Sequence, residues 1–221
     1  MGIRKIKAEI KDAFNLVADD YDPFMEETLH VRAQREMVDK LREEIRGRVL
    51  DVGTGTGVIA VNAARIPGAK VTASDFSVEM VKRAVKNAAE AGVEVDFIID
   101  DVEEAPFPGE RFDVVISSLG LLWYGDKEKA LREMVRVSRR SGKIIIIEEE
   151  GTPRRTRVES LNDRLRRFFN AIEKLETPIT LGEVEEKMSS MGLTPTRRVR
   201  ARIDEYHGFI GVVFRRPRGS A

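Results

Sequence analysis

A cluster of glycines flanked by carboxylates carries most of the chemistry this sequence can offer. Arg48–Val52 is a short apolar run, and Gly53, Gly55 and Gly57 follow it with Thr54 and Thr56 between them. Glycines where a strand gives way to a helix expose bare backbone, so a ligand can lie directly against the chain. In open α/β sheets such a site lies at the carboxyl end of a strand. Asp75 closes the next apolar run about twenty residues later, where a carboxylate can accept both hydroxyls of a ribose. These two features also fit a dinucleotide enzyme, since Gly55–Ala60 satisfies G-x-G-x-x-A. Asp51 argues the other way. It precedes the first glycine, and a fixed negative charge there opposes a pyrophosphate but suits an ammonium or a sulfonium.

The elements that must position these residues are legible in the periodicity. Ile3, Ile6, Ile10, Phe14 and Val17 fall at steps of three or four and predict an amphipathic helix; a second fits residues 26–45. Strands are then expected at 48–52, 70–74, 95–99, 113–117 and 143–147. Helices are expected at 58–65, from the Ser77 cap to Ala91, and at 126–137. Beyond Glu150 the alternation breaks. Residues 159–175 read as a helix, and Thr180-Leu-Gly-Glu183 is a capping box opening another to Met191. Strands near 194–203 and 208–214 look like a hairpin closing a sheet edge. The prediction is an α/β fold: a doubly wound, mostly parallel seven-stranded sheet with helices on both faces and an antiparallel C-terminal hairpin. Residues 1–46 would cap the site, 47–150 would form its core, and 151–221 would supply a helical insertion and final strands of the same domain.

Composition narrows the chemistry. With no cysteine there is no disulfide, thiolate nucleophile or zinc knuckle. Two histidines, His30 and His207, are too few for a histidine-rich metal site, and no metal is expected. No apolar run has membrane-spanning length and the first ten residues are too charged for a signal peptide, which predicts a soluble, cytoplasmic protein. Net charge is zero, yet residues 1–150 hold 23 basic and 29 acidic residues while 151–221 hold 15 and 9. Arg198, Arg200 and Arg202 alternate along one strand face; the plainer reading is a wet edge strand that discourages pairing, so nucleic acid is disfavoured as a partner.

Asp51–Gly57 resembles the glycine-rich motif of class I S-adenosylmethionine methyltransferases. The other motifs follow in order: Val71–Met80 is similar to the family's second-strand motif, Ile99–Phe107 to its third, Arg111–Ser118 to its fourth, and Val137–Lys143 to the turn before its fifth strand. Phe14–Asp22 is similar to the amino-terminal signature of the ubiquinone- and menaquinone-biosynthesis-like enzymes. The resemblance implies S-adenosylmethionine as cofactor and S-adenosylhomocysteine as product. It implies that Gly53, Thr54 and Gly55 lie along the methionine part with Asp51 near the amino group, and that Asp75 holds the ribose. Phe76 and Met80 would pack on ribose or adenine, Asp101 would accept from the adenine amino group, and the Val102 N–H would donate to the ring. Ser117 would offer its carbonyl to the ammonium, and Tyr21 would help close the pocket. Plainer roles stand beside these: Asp75 as a helix-start carboxylate, Asp101 as a solvated acid, Phe76 and Met80 as core.

The expected partner is a small-molecule acceptor, with a homodimer left open. Leu119–Tyr124 follows the fourth strand, and Trp123 with Tyr124 could hold a flat or apolar acceptor. Trp123 stands where relatives often carry histidine, so a histidine base is absent there. His207 is a conceivable base but reads better as a surface residue, and Glu148, Glu149 and Glu150 read as solvated charge. No catalytic residue is assigned. The alternatives are a non-catalytic cofactor-binding protein and a NAD-dependent oxidoreductase.

Overall fold

The computed structural model describes residues 2–151, 162–173, 175–205 and 207–217. Its elements are α1 (Ile3–Glu27), α2 (His30–Leu41), β1 (Gly47–Val52), α3 (Val58–Ala64), β2 (Ala69–Asp75), α4 (Val78–Ala91), β3 (Asp96–Ile99), β4 (Phe112–Ser118), α5 (Lys127–Val137), β5 (Ser138–Gly151), α6 (Asp163–Ile172), α7 (Leu181–Ser190), β6 (Thr194–Arg202) and β7 (His207–Arg215). Two 3-10 turns, Val102–Glu104 and Leu121–Trp123, follow β3 and β4.

One seven-stranded sheet has the order β3-β2-β1-β4-β5-β7-β6. The first five strands in that order are parallel; β7 runs antiparallel to both β5 and β6. The chain leaves β1 toward β2 and β3, then returns to β4 on the other side. A crevice therefore opens at the carboxyl ends of β1 and β4, where open α/β sheets bind ligands.

Alternation along the strands builds two cores. Leu50, Val52, Ile144, Ile146, Val212 and Phe214 face α5 and α7. Their neighbours Val49, Ile145, Ile147, Phe209 and Val213 face α2 and α3. That is the period-two pattern of a sheet covered on both sides. The helix caps do what their residue types predict: Ser77 accepts from Met80 N at 3.2 Å, Asp126 from Lys129 N at 2.9 Å, and Thr180 with Glu183 forms the capping box.

The differences from sequence expectation have physical reasons. The first helix continues past Val17 to Glu27, through Pro23, because its face keeps burying Ala18 and Met25; one backbone hydrogen bond is forgone at the proline. The second helix begins at His30 rather than residue 26, since Leu29 turns the chain with a φ of 63°. Strand β5 is longer than expected at both ends because Ser138 pairs with Phe112 of β4 and β7 pairs with β5 from Lys143 to Gly151. The helix expected over 159–175 starts at Asp163, with 159–161 outside the described residues.

Candidate active site

A cavity opens over the carboxyl ends of β1, β2 and β4 and is roofed by α1 and the start of α2. Gly53 and Gly55 form its floor with positive φ, 63° and 54°. A Cβ on Gly53 would come within 2.8 Å of the Tyr124 hydroxyl, whereas one on Gly55 would meet no atom of the described residues within 4 Å. Gly55 thus faces free space, as a backbone that receives a ligand must. Gly57 is off the wall and lets α4 approach through Ala84.

Carboxylates surround this floor. Asp51 is 1% exposed, accepts from the Thr54 hydroxyl at 2.6 Å, and is pushed up to about 7 by burial. It lies outside the cavity wall, as does the fully buried Ser117. Asp75 is on the wall. Its Oδ2 accepts from Gly55 N at 2.8 Å and its Oδ1 from Ser77 N at 2.9 Å, so it braces the glycine loop and caps the entry to α4. Burial pushes Asp75 up to about 6. A carboxylate has about four lone-pair directions, so capacity remains for a ligand's hydroxyls.

Asp101 is the residue whose placement departs most from a free adenine acceptor. It accepts from Glu103 N at 3.0 Å, capping the 3-10 turn, and it pairs with Lys7 of α1. Lys7 also reaches Glu103 at 3.0 Å. The neighbouring Asp100 lines the same cavity beside the buried Ser74 hydroxyl, and among the described residues its oxygens make no well-aligned hydrogen bond. Burial, with the charges of Asp101 and Asp75 added, pushes it up to about 6. Acceptors with spare capacity beside a cavity are the counterpart of a ligand that brings donors. Val102 lines the cavity here.

The remaining walls are aromatic. Phe14 meets Trp123 edge-on at 5.4 Å between centroids, Phe168 at 5.2 Å and Tyr21 at 6.1 Å. Phe76 and Met80 complete this side, Met80 being 1% exposed. Tyr124 bonds Ser117 Oγ at 3.0 Å and donates to the Val52 carbonyl at 3.3 Å, so its hydroxyl sits against the glycine floor. Burial raises both Tyr21 and Tyr124 far above neutrality, so both stay protonated.

Sequence reasoning missed Lys7, Asp100 and Gln34, whose amide donates to Ser118 Oγ at 3.3 Å across the cavity rim. Two expectations are corrected. His207 is not a surface histidine: it is 6% exposed and stacks edge-on with His30 at 5.7 Å, because α2 covers the end of β7. The three glutamates of β5 are not uniformly solvated. Glu150 pairs with Arg200 at the surface, but Glu148 accepts from Leu121 N at 3.2 Å and burial raises it to about 8, while Glu149 lies between the two histidines. The arginines of β6 behave as expected of an edge, Arg198 pairing with Glu185 and Arg200 with Glu150.

Among solved structures, magnesium protoporphyrin IX methyltransferase of Synechocystis PCC 6803, with bound SAH, superposes with a TM-score of 0.71 at 17% identity, covering 96% of this chain and 100% of that one. The [4+2]-cyclase SpnF superposes at 0.65 and 20%, covering 84% and 81%. The fold is thus a Rossmann-like α/β fold shared with these structures. Residues 49–142 match the family described as "Methyltransferase domain". A demethylmenaquinone methyltransferase of Thermus thermophilus is 37% identical over 125 residues, 56% of this chain and 57% of the relative. The ubiquinone/menaquinone biosynthesis C-methyltransferase UbiE of Bdellovibrio bacteriovorus is 34% identical over 143 residues, 63% and 61%. The chain thus spans less than two thirds of the length of these relatives. No helix among the described residues is long and apolar enough to cross a membrane.

Proposed function

We propose that this protein is an S-adenosylmethionine-dependent methyltransferase acting on a small, flat or apolar acceptor, in a cytoplasmic setting. The observation that carries the reading is the floor of the cavity. Bare glycine backbone meets free space there, Asp75 stands on one side, buried Asp51 behind, and the Asp100 carboxylate lines the wall with acceptor capacity to spare. A ligand with a cationic centre, ribose hydroxyls and amino donors matches that set; a pyrophosphate does not, because three buried carboxylates repel it.

Bound S-adenosylmethionine would supply the electrophilic methyl group and its own leaving group. Asp51 sets a negative potential beneath Gly53 that favours the ligand's ammonium, assisted by the Ser117 carbonyl. Asp75 accepts the ribose hydroxyls with the lone pairs that Gly55 and Ser77 leave free. Asp100 and Asp101 offer acceptors at the adenine end, and Val102 its backbone N–H. Phe76 and Met80 pack against ribose or ring. Tyr21, Phe14 and Trp123 exclude water and present aromatic faces to the acceptor. Orientation of two bound partners accounts for roughly 7–11 kcal/mol of barrier lowering in well-positioned reactions, so the chain need not supply a dedicated base. The named activities of the curated relatives, on quinone-type acceptors, support a flat acceptor.

Calorimetric titration with S-adenosylmethionine, S-adenosylhomocysteine and NAD tests the reading. Micromolar binding of the two sulfur ligands, lost in Asp75→Ala, with no binding of NAD, is expected. Tight NAD binding, or failure of both sulfur ligands, would overturn it. The SpnF likeness shows that this fold also carries a cyclase, so turnover to S-adenosylhomocysteine must be measured separately from binding.

A further inference from the structure

The two histidines of the chain meet on one carboxylate. His30 opens α2, Glu149 lies near the end of β5, and His207 opens β7. Gly151 pairs with His207 across the antiparallel ladder, so Glu149 and His207 are diagonal neighbours on one sheet face. That face continues Ile145, Ile147 and Phe209, and α2 covers it. His30 Nε2 stands 3.1 Å from one Glu149 oxygen and His207 Nε2 stands 3.3 Å from the other. One ligand atom from each residue lies within 4.8 Å of the others. A tetrahedral zinc with bonds of about 2.0–2.1 Å spaces its ligand atoms by about 3.3 Å.

The hydrogen-bond network makes this more than proximity. The Thr28 hydroxyl donates its proton to the Phe24 carbonyl at 3.0 Å. Its oxygen and the Thr28 carbonyl then face His30 Nδ1 as acceptors, at 2.9 and 3.0 Å. That network assigns a proton to Nδ1 and, in the neutral ring, leaves a lone pair on Nε2 facing a carboxylate oxygen. Two lone pairs at that distance repel unless a proton or a metal ion lies between them. An imidazole fixed by a carbonyl through its other nitrogen is the usual support of a metal-bound histidine. His207 supplies the second sign: its side chain is 4% exposed, and its Nε2, though 3.3 Å from Glu149 Oε2, makes no well-aligned hydrogen bond among the described residues.

We propose that His30, Glu149 and His207 form a site for one divalent first-row transition cation, with zinc as the simplest occupant. Two imidazoles and a carboxylate select zinc, cobalt, nickel or ferrous iron over magnesium and calcium, which favour all-oxygen sets. Glu149 is the exposed member of the set, leaving the ion reachable from solvent and one position free of protein. Val31 and Gln34, next on α2, line the cavity, so the ion borders the acceptor end and ties the α2 N-terminus to the sheet edge. The inference does not depend on the methyltransferase reading.

The test is titration of chelator-treated full-length protein with Co2+, read by visible absorption, and with Zn2+, read by calorimetry. One ion per chain at micromolar affinity or tighter is expected, with Mg2+ failing to compete. His30→Gln and His207→Gln should each weaken binding by about tenfold or more. Glu149→Gln, at the exposed position, carries the same expectation should the buried His207 variant misfold, with circular dichroism and S-adenosylhomocysteine binding reporting the fold. Binding no tighter than millimolar, or unchanged in the folded variants, would overturn the site and leave a histidine–carboxylate bridge in its place.

Discussion

Asp51 and Gly55 bear the sharpest residue-level expectations. Asp51 is held near pH 7 by burial, so much of it is protonated in the empty protein at slightly acid pH. A ligand ammonium placed beside it favours the carboxylate, so binding must release a proton below about pH 7, and affinity must fall as pH drops. Calorimetry of S-adenosylhomocysteine binding at pH 6 in buffers of different ionisation enthalpy should show that release; Asp51→Asn should abolish it. A pH-independent affinity between 5.5 and 8 would contradict the assignment. Gly55→Ala separates site from fold. The added Cβ meets no atom of the described residues, so the cost to stability is the left-handed strain, about 1–2 kcal/mol, while the methyl intrudes on the ligand's space. A folded variant with at least tenfold weaker binding is expected; unchanged binding would mean that the ligand lies elsewhere. At this scale the sequence was informative where chemistry is local. Gly53, Gly55 and Asp75 sit at strand ends that a reader can find. Lys7 on Asp101 and the meeting of His30 with His207 were not legible, because only tertiary packing brings those segments together.

Among the elements, α4 ties the site to the sheet most directly. Ser77 caps it, its backbone N–H donates to Asp75, and its hydroxyl donates to Asn15 Oδ1 on α1 at 2.8 Å. Ser77→Ala therefore removes a cap and a link between two helices. A loss of about 1–2 kcal/mol is expected in urea unfolding, with weaker cofactor binding as the Asp75 brace loosens. A loss below a few tenths would show that backbone geometry alone holds Asp75. Caps of this kind were readable, since Ser77, Asp126 and Thr180 stand immediately before apolar periodicity. The length of α1 was not. Its extension through Pro23 depends on α6, whose Phe168 and Phe169 receive Phe14 and Phe24.

For the molecule as a whole, buried acids set a pH dependence. Asp51, Asp75 and Asp100 have folded-state values of about 7, 6 and 6, all raised above the ordinary 3.8 by burial. A raised carboxyl binds its proton more tightly when folded, so its stabilisation is full below about pH 4 and is lost as pH rises through 6 to 7. The melting temperature of the ligand-free protein should fall between pH 5 and 8, and a saturating cationic ligand should flatten that fall. A melting temperature that rises across this window would refute the account. The overall sheet was foreseeable from alternating strands and helices, including its antiparallel end. What alternation could not disclose is the order of the last pair, in which β7 lies inside and β6 forms the rim.

That inverted order has a consequence on the ribosome. Strand β5, with its run of Ile144–Ile147, emerges long before β7, its neighbour on the open side. Until residues 207–215 leave the exit tunnel, the nascent chain holds a nearly complete sheet that ends in a bare, greasy edge. Such edges recruit other chains. Chaperone demand during translation should therefore peak late, and a stalled or nonsense-terminated product lacking β7 should be a more aggressive aggregator than one that stops before β5.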